Sequence, residues 1–178
     1  MGLISFLVKD WRKECFCSYL SDKTLYVTCG EECFKYTSDA LNRVTELFSN
    51  QEEADSRVIF HAYKISLKNR YKSLIICSDD TDVLIILLAF SNTIKIPIYQ
   101  KVTSKTKLTL INVSAIATAL GENLCSAIVG LHSFTGTDST SAFASKGKIG
   151  ALKIINHNVR FQNVFEKLGE GIGKCMRT

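Results

Sequence analysis

The sequence holds one proline, Pro97, and no long run of glycine, serine or proline. That excludes an evident interdomain linker, and no internal repeat breaks the chain, so its 178 residues read as a single domain. Long hydrophobic runs are also lacking. "VLIILLAF" at 83–90 has eight residues, far short of the ~20 that cross a bilayer, so no membrane partner is expected. The opening "MGLISFLVKDWRK" has too short an apolar run before Lys9 for a secretory signal, and Phe6 stands where a myristoylation signal needs Ser or Thr. Without a route to an oxidising compartment, the seven cysteines read as reduced thiols of an intracellular protein, nuclear or cytoplasmic. Cys15 and Cys17, or Cys29 and Cys33, lack the usual two-residue spacing of paired zinc ligands, which leaves buried structural thiols as the reading. Charge is nearly balanced: 22 Lys and Arg against 17 Asp and Glu give +5, enough to permit a polyanion but no dedicated basic tail.

Hydrophobic residues make up 46% of the chain, sufficient for a real core. "LYVTC" at 25–29 reads as a short strand with a turn at Gly30, followed by a polar segment to about Asn50; residues 1–50 are weakly determined. From Glu52 to Lys68, Ala54, Val58, Ala62, Ile65 and Leu67 recur at mostly helical spacing, with Glu52, Glu53 and Asp55 in the first turn. "SLIICS" at 73–78 reads as a strand covered on both faces, Asp79–Thr81 as a turn, and "DVLIILLAF" as a buried helix, its β-branched content leaving strand as the alternative. "TIKIPIYQK" and "KLTLINV" read as strands, and Asn112 or Ser114 caps a helix that Gly121 stops. "ENLCSAIVGLHSFTG" gives another helix before the loop "TGTDSTS", and residues 146–168 form a basic helical segment. The alternation predicts an α/β fold with a mostly parallel central sheet sandwiched by helices, and such sheets gather their chemistry at the carboxyl ends of the strands. "GEGIGK" at 169–174 lacks the full phosphate-loop spacing and reads as a flexible tail.

Carboxylates stand at three places in this pattern: Glu53 and Asp55 at a helix start, Asp80 and Asp82 after a strand, and Asp138 in the small-residue loop. Carboxylates converging from separate segments form sites for hard divalent cations, which prefer oxygen ligands. Each acid also has an ordinary account: favourable charge in a first helical turn for Glu53, Asp55 and Asp82, an N-cap for Asp80, a turn residue for Asp138. His61, His132 and His157 are not spaced as a metal cluster, and a structural histidine is the better account of His132.

"QEEADSR", "CSDDTDVLI", "LHSFTGTDST" and "KGKIGALKII" resemble, in order and approximate spacing, the motifs of the PIN-like and flap endonuclease/XPG nuclease superfamily. The likeness covers roughly residues 50 to 156 and is closest to mobile-element-associated PIN-like proteins; residues 3 to 36 resemble that narrower group alone. It implies a Rossmann-like three-layer fold and hydrolysis of DNA or RNA phosphodiesters with Mg²⁺ or Mn²⁺, two ions being the family's arrangement. Glu53, Asp80, Asp82 and Asp138 match the ion ligands, Asp55 matches the second acid of the helix motif, and Asp79 falls outside the ligand set as a supporting residue. Gly147 matches the glycine that opens the nucleic-acid-binding helix, with Lys146, Lys148 and Lys153 as phosphate partners. The family's acid at the end of a first strand has no counterpart before Tyr26, so the chain reads as a copy lacking its first strand. A catalytically inactive nucleic-acid-binding or protein-interaction module with the same fold is the alternative.

Overall fold

The structure, a computed structural model, describes residues 2–11, 14–50, 54–68, 70–104, 107–137 and 147–174. The sequence reading takes the chain as one domain; its contacts gather into two compact units, Met1–Arg57 and Val58–Thr178, each described by itself.

In the first unit, helices α1 (Leu3–Asp10) and α2 (Glu14–Cys17) precede an antiparallel meander of β1 (Leu25–Cys29), β2 (Glu32–Tyr36) and β3 (Leu41–Arg43). Gly30 closes the first hairpin at φ 60°, a left-handed conformation that favours glycine. Val27 faces Phe34 and Leu25 faces Tyr36 across the register, and on that face Phe34 and Tyr36 join Val8 in a small core. The Tyr36 hydroxyl donates to the carbonyl of Val8 at 3.1 Å. The stretch expected as polar to Asn50 thus holds two strands, β2 and β3. Its β2 hides because Cys33 and Phe34 are both buried, which erases the polar-apolar alternation of a half-exposed strand. Cys29 pairs with Glu32 and Cys33 with Thr28, so the two thiols point to opposite faces and cannot share an ion.

In the second unit, α3 (Ala54–Ser66, entering at Val58) is followed by β4 (Leu74–Cys77), α4 (Thr81–Phe90), β5 (Ile98–Thr103) and β6 (Leu108–Asn112). Next come α5 (Val113–Leu120), α6 (Glu122–Phe134), α7 (Lys148–Asn156) and α8 (Val159–Lys174). Local chemistry sets the bounds: the Asn112 side chain accepts from the Ala115 N–H to start α5, and Gly121, at φ 80°, ends it. The sheet is mixed, in the order β4-β5-β6, with β4 and β5 parallel and β5 and β6 antiparallel. A mixed α/β architecture therefore holds, while the described sheets contain one parallel pairing. The reason is the link from β5 to β6, where Ser104 and Lys107 exchange backbone hydrogen bonds in a tight turn; a parallel return would need a crossover of about a dozen residues.

Ile59, Ala62, Val83, Leu87, Ile98 and Val113 form the centre of this unit's core. Leu74 and Ile76 turn toward it, whereas Ile75, Leu108 and Leu110 are each more than half exposed. Among the described residues no single helix is long and apolar enough to cross a membrane. Cys33 and Cys125 are buried as expected, and burial pushes the Cys125 thiol up from its ordinary pKa; Cys77 departs from the expectation by being exposed.

The segment expected as a flexible tail is the last part of α8, described through Lys174. Its Gly169 has a packing role: the Gly169 nitrogen lies 3.1 Å from where a Cβ on Gly130 would stand. That same Cβ would fall 2.0 Å from the carbonyl oxygen of Phe165, so α6 and α8 approach closer than any side chain at 130 permits. Gly130→Ala should cost at least about 1–3 kcal/mol and lower the thermal midpoint by several degrees. Gly150→Ala, where an added methyl meets nothing, should be neutral or stabilise α7 by up to about 1 kcal/mol. Midpoints of the two variants that shift together would refute this account of the α6–α8 contact.

Candidate functional site at the end of β4

β4 ends at Cys77, and the chain turns through Ser78, Asp79 and Asp80 into α4. Asp80 is the N-cap: its backbone is extended and its Oδ1 accepts from the Asp82 N–H at 2.8 Å. Asp82 lies in the first turn, where the helix dipole favours a carboxylate. The ordinary account of both residues is therefore correct as far as it goes.

Asp79 and Asp82 each have a partner on another element. Asp79 Oδ1 accepts from the Thr103 N–H at 2.5 Å, tying the turn to the end of β5. Asp82 Oδ1 lies 2.8 Å from Nε2 of His132, fifty residues away on α6. The His132 side chain is 10% exposed and that of Asp82 41%, so the imidazole is enclosed while the carboxylate keeps a side open to solvent. His132 also lines a cleft of about 120 Å³ between Ile85, Ile128 and Leu131 on one side and Lys148 and Ile149 on the other.

The structure thus joins Asp80, Asp82 and His132, and Lys148 lines the same cleft as His132. Gly147 is the N-cap of α7, with no side chain capping the helix. Lys153 is exposed in the last turn of α7, and at about 100° per residue it stands roughly 140° around the helix from Lys148, so the two lysines do not share a face. Asp55 lies in the first turn of α3, in the first unit. Glu53, Asp138 and Lys146 lie outside the described residues.

Asp80 and Asp82 suit a hard cation by donor type, and each keeps its second oxygen outside the hydrogen bonds of the described residues. Two carboxylates do not close such a site, and among the described residues no three His, Cys, Asp or Glu side chains converge to hold a metal ion.

Two residues gain importance from the geometry. His132 reads from sequence as structural, and its bond to Asp82 joins that role to the acid pair. Gln100, 1% exposed on β5, goes unnoticed in the sequence, although the alternation Ile98, Gln100, Val102 places a glutamine on the inward face. Its Nε2 donates to the carbonyls of Ser78 at 2.9 Å and Asp80 at 3.0 Å. No family model, curated protein or solved structure matches the chain.

The His132–Asp82 bond predicts measurable coupling. In a double-mutant cycle of His132→Ala and Asp82→Asn, the interaction energy should be about 0.5–1 kcal/mol, near the lower end of the range for contacting residues because Asp82 is partly solvated. Strict additivity of the two single changes in chemical denaturation would contradict the contact.

Proposed function

We propose that the chain is a PIN-like, nuclease-like domain acting on DNA or RNA phosphodiesters, intracellular in the nucleus or cytoplasm, with an acid pair at the carboxyl end of β4. The observation that carries this reading is the placement of Asp80 and Asp82 where a strand in parallel pairing hands over to a helix, beside a cleft that Lys148 also lines. The resemblance also implies Glu53 and Asp138 as ion ligands and Asp55 as an assisting acid. Mg²⁺ or Mn²⁺, as two ions when the set is complete, would be held by Glu53, Asp80, Asp82 and Asp138, and the chemistry they supply is activation of water and stabilisation of charge on the leaving oxygen. The chain's own residues have separable tasks. Asp80 and Asp82 present carboxylate oxygens from a capped helix start, His132 orients Asp82, and the uncapped N-terminus of α7 with Lys148 offers N–H groups and an ammonium to a phosphate. The resemblance adds Lys146 as a phosphate partner, while Lys153 stands on a different face of α7 from Lys148.

A catalytically inactive nucleic-acid-binding module is the second reading, and the His132 bond favours it. A donor already seated on Asp82 Oδ1 competes with any ion for that oxygen.

Metal-dependent stability and cleavage separate the two. Mn²⁺ at about 100 times its dissociation constant should stabilise the fold by about 2.7 kcal/mol, a rise of several degrees, and Asp80→Asn with Asp82→Asn should abolish the response. With Mn²⁺ the protein should cleave labelled single-stranded or branched nucleic acid, and Asp138→Ala should lower the rate by orders of magnitude while leaving binding intact. Binding without cleavage leaves the inactive module standing, and an unchanged metal response in the double Asn variant removes the site. Lys148→Ala should weaken binding without regard to sequence and reduce the salt slope by about one unit per lost phosphate contact. An unaltered slope takes the start of α7 out of the interface.

A further inference from the structure

Gln100 occupies a position that burial alone would give to an aliphatic side chain. It follows Ile98 on the inward face of β5, pairs with Ile76 of β4 across the parallel register, and is 1% exposed. Burying an amide there costs about 1–3 kcal/mol for each polar atom left without a partner, and its Oε1 has none among the described residues. The other amide atom explains the choice. By donating to the carbonyls of Ser78 and Asp80, Nε2 grips both ends of the turn whose middle residue, Asp79, is already held by the Thr103 N–H. The turn is therefore fixed to β5 at three consecutive residues.

We propose that Gln100 is a positioning residue for the acid pair: it fixes the backbone of Asp80, so that the Asp80 carboxylate caps α4 and stands in a set relation to Asp82. Its bearing on chemistry rests on the function proposed above, whereas the fixing of the turn can be measured without it. A residue kept for stability should destabilise the whole unit when replaced. A residue kept for position should loosen the turn and leave the core intact, because leucine or methionine of similar volume suits the apolar site.

The experiment compares Gln100→Leu and Gln100→Met with the parent chain by thermal midpoint, by amide hydrogen exchange and by Mn²⁺ uptake followed through the free-ion resonance signal. The expected result is a midpoint unchanged or raised and unaltered exchange at Leu87 and Leu88 inside α4. Exchange at the Asp82 amide, which donates to Asp80, should be about tenfold faster, the effect of roughly one net hydrogen bond. Mn²⁺ affinity should fall by about the same factor, since the ligands lose their fixed spacing. Retained protection at Asp82 overturns the proposal. So does a parallel loss of protection through α4, or a failure of both variants to fold, since either makes Gln100 an ordinary core residue. If the parent itself takes up no Mn²⁺, the functional reading fails, and the positioning role is still decided by exchange at Asp82.

Discussion

The parallel pairing of β4 with β5 is the constraint on which the second unit depends. Two parallel neighbours cannot be joined by a short turn, so the chain must leave β4, run back as α4 and re-enter as β5. That path puts the N-terminus of α4 and the last residues of β5 at the same end of the sheet. The positive end of a helix dipole, the Thr103 N–H and the Gln100 amide consequently surround one three-residue turn. Acidic side chains are suited to that place before any function is considered.

Three aspartates within four residues would repel one another if they shared a single environment. The fold gives each a separate hydrogen-bond donor: a backbone N–H of β5 for Asp79, the N–H of α4's own second residue for Asp80, and the imidazole of α6 for Asp82. No lysine or arginine pairs with them among the described residues. Negative charge is thus held by oriented dipoles and one histidine, which leaves carboxylate oxygens available to a cation or to solvent.

Most of the elements around the site are legible because their signals are local. The helix from Ala54, the strand ending at Cys77, the cap at Asp80 and the helix between Asn112 and Gly121 all follow from periodicity and capping chemistry within a few residues. The features that escape detection depend on partners far along the chain. β2 has no clean alternation because both its neighbouring faces are covered, and β6 returns antiparallel because of a tight turn that no strong hairpin dipeptide announces. The glycines near the C-terminus resemble a phosphate loop until the first of them, Gly169, is found against Gly130. Likewise Gln100 and His132 gain meaning only when the carbonyls of Ser78 and Asp80 and the carboxylate of Asp82 are placed beside them.

The packing at Gly130 and the chemistry at Asp82 are connected through α6. Residues 130 and 132 are two apart, so at about 100° per residue they point to nearly opposite sides of the helix. One side receives α8 through the glycine contact, and the other reaches α4 through His132. α6 therefore acts as a spacer between two helices. An extra methyl at 130 does not simply destabilise the α8 contact, because the repulsion it creates is relieved by moving either α8 outward or α6 toward α4. On the α4 side, Ile128 and Val129 share one buried cluster with Val83 and Leu87, and the 2.8 Å bond from His132 to Asp82 stands beside that packing. The enclosed histidine thus ties α6 to the first turn of α4 at Asp82 while its ring lines the cleft, so the acid and the cleft are linked through one side chain.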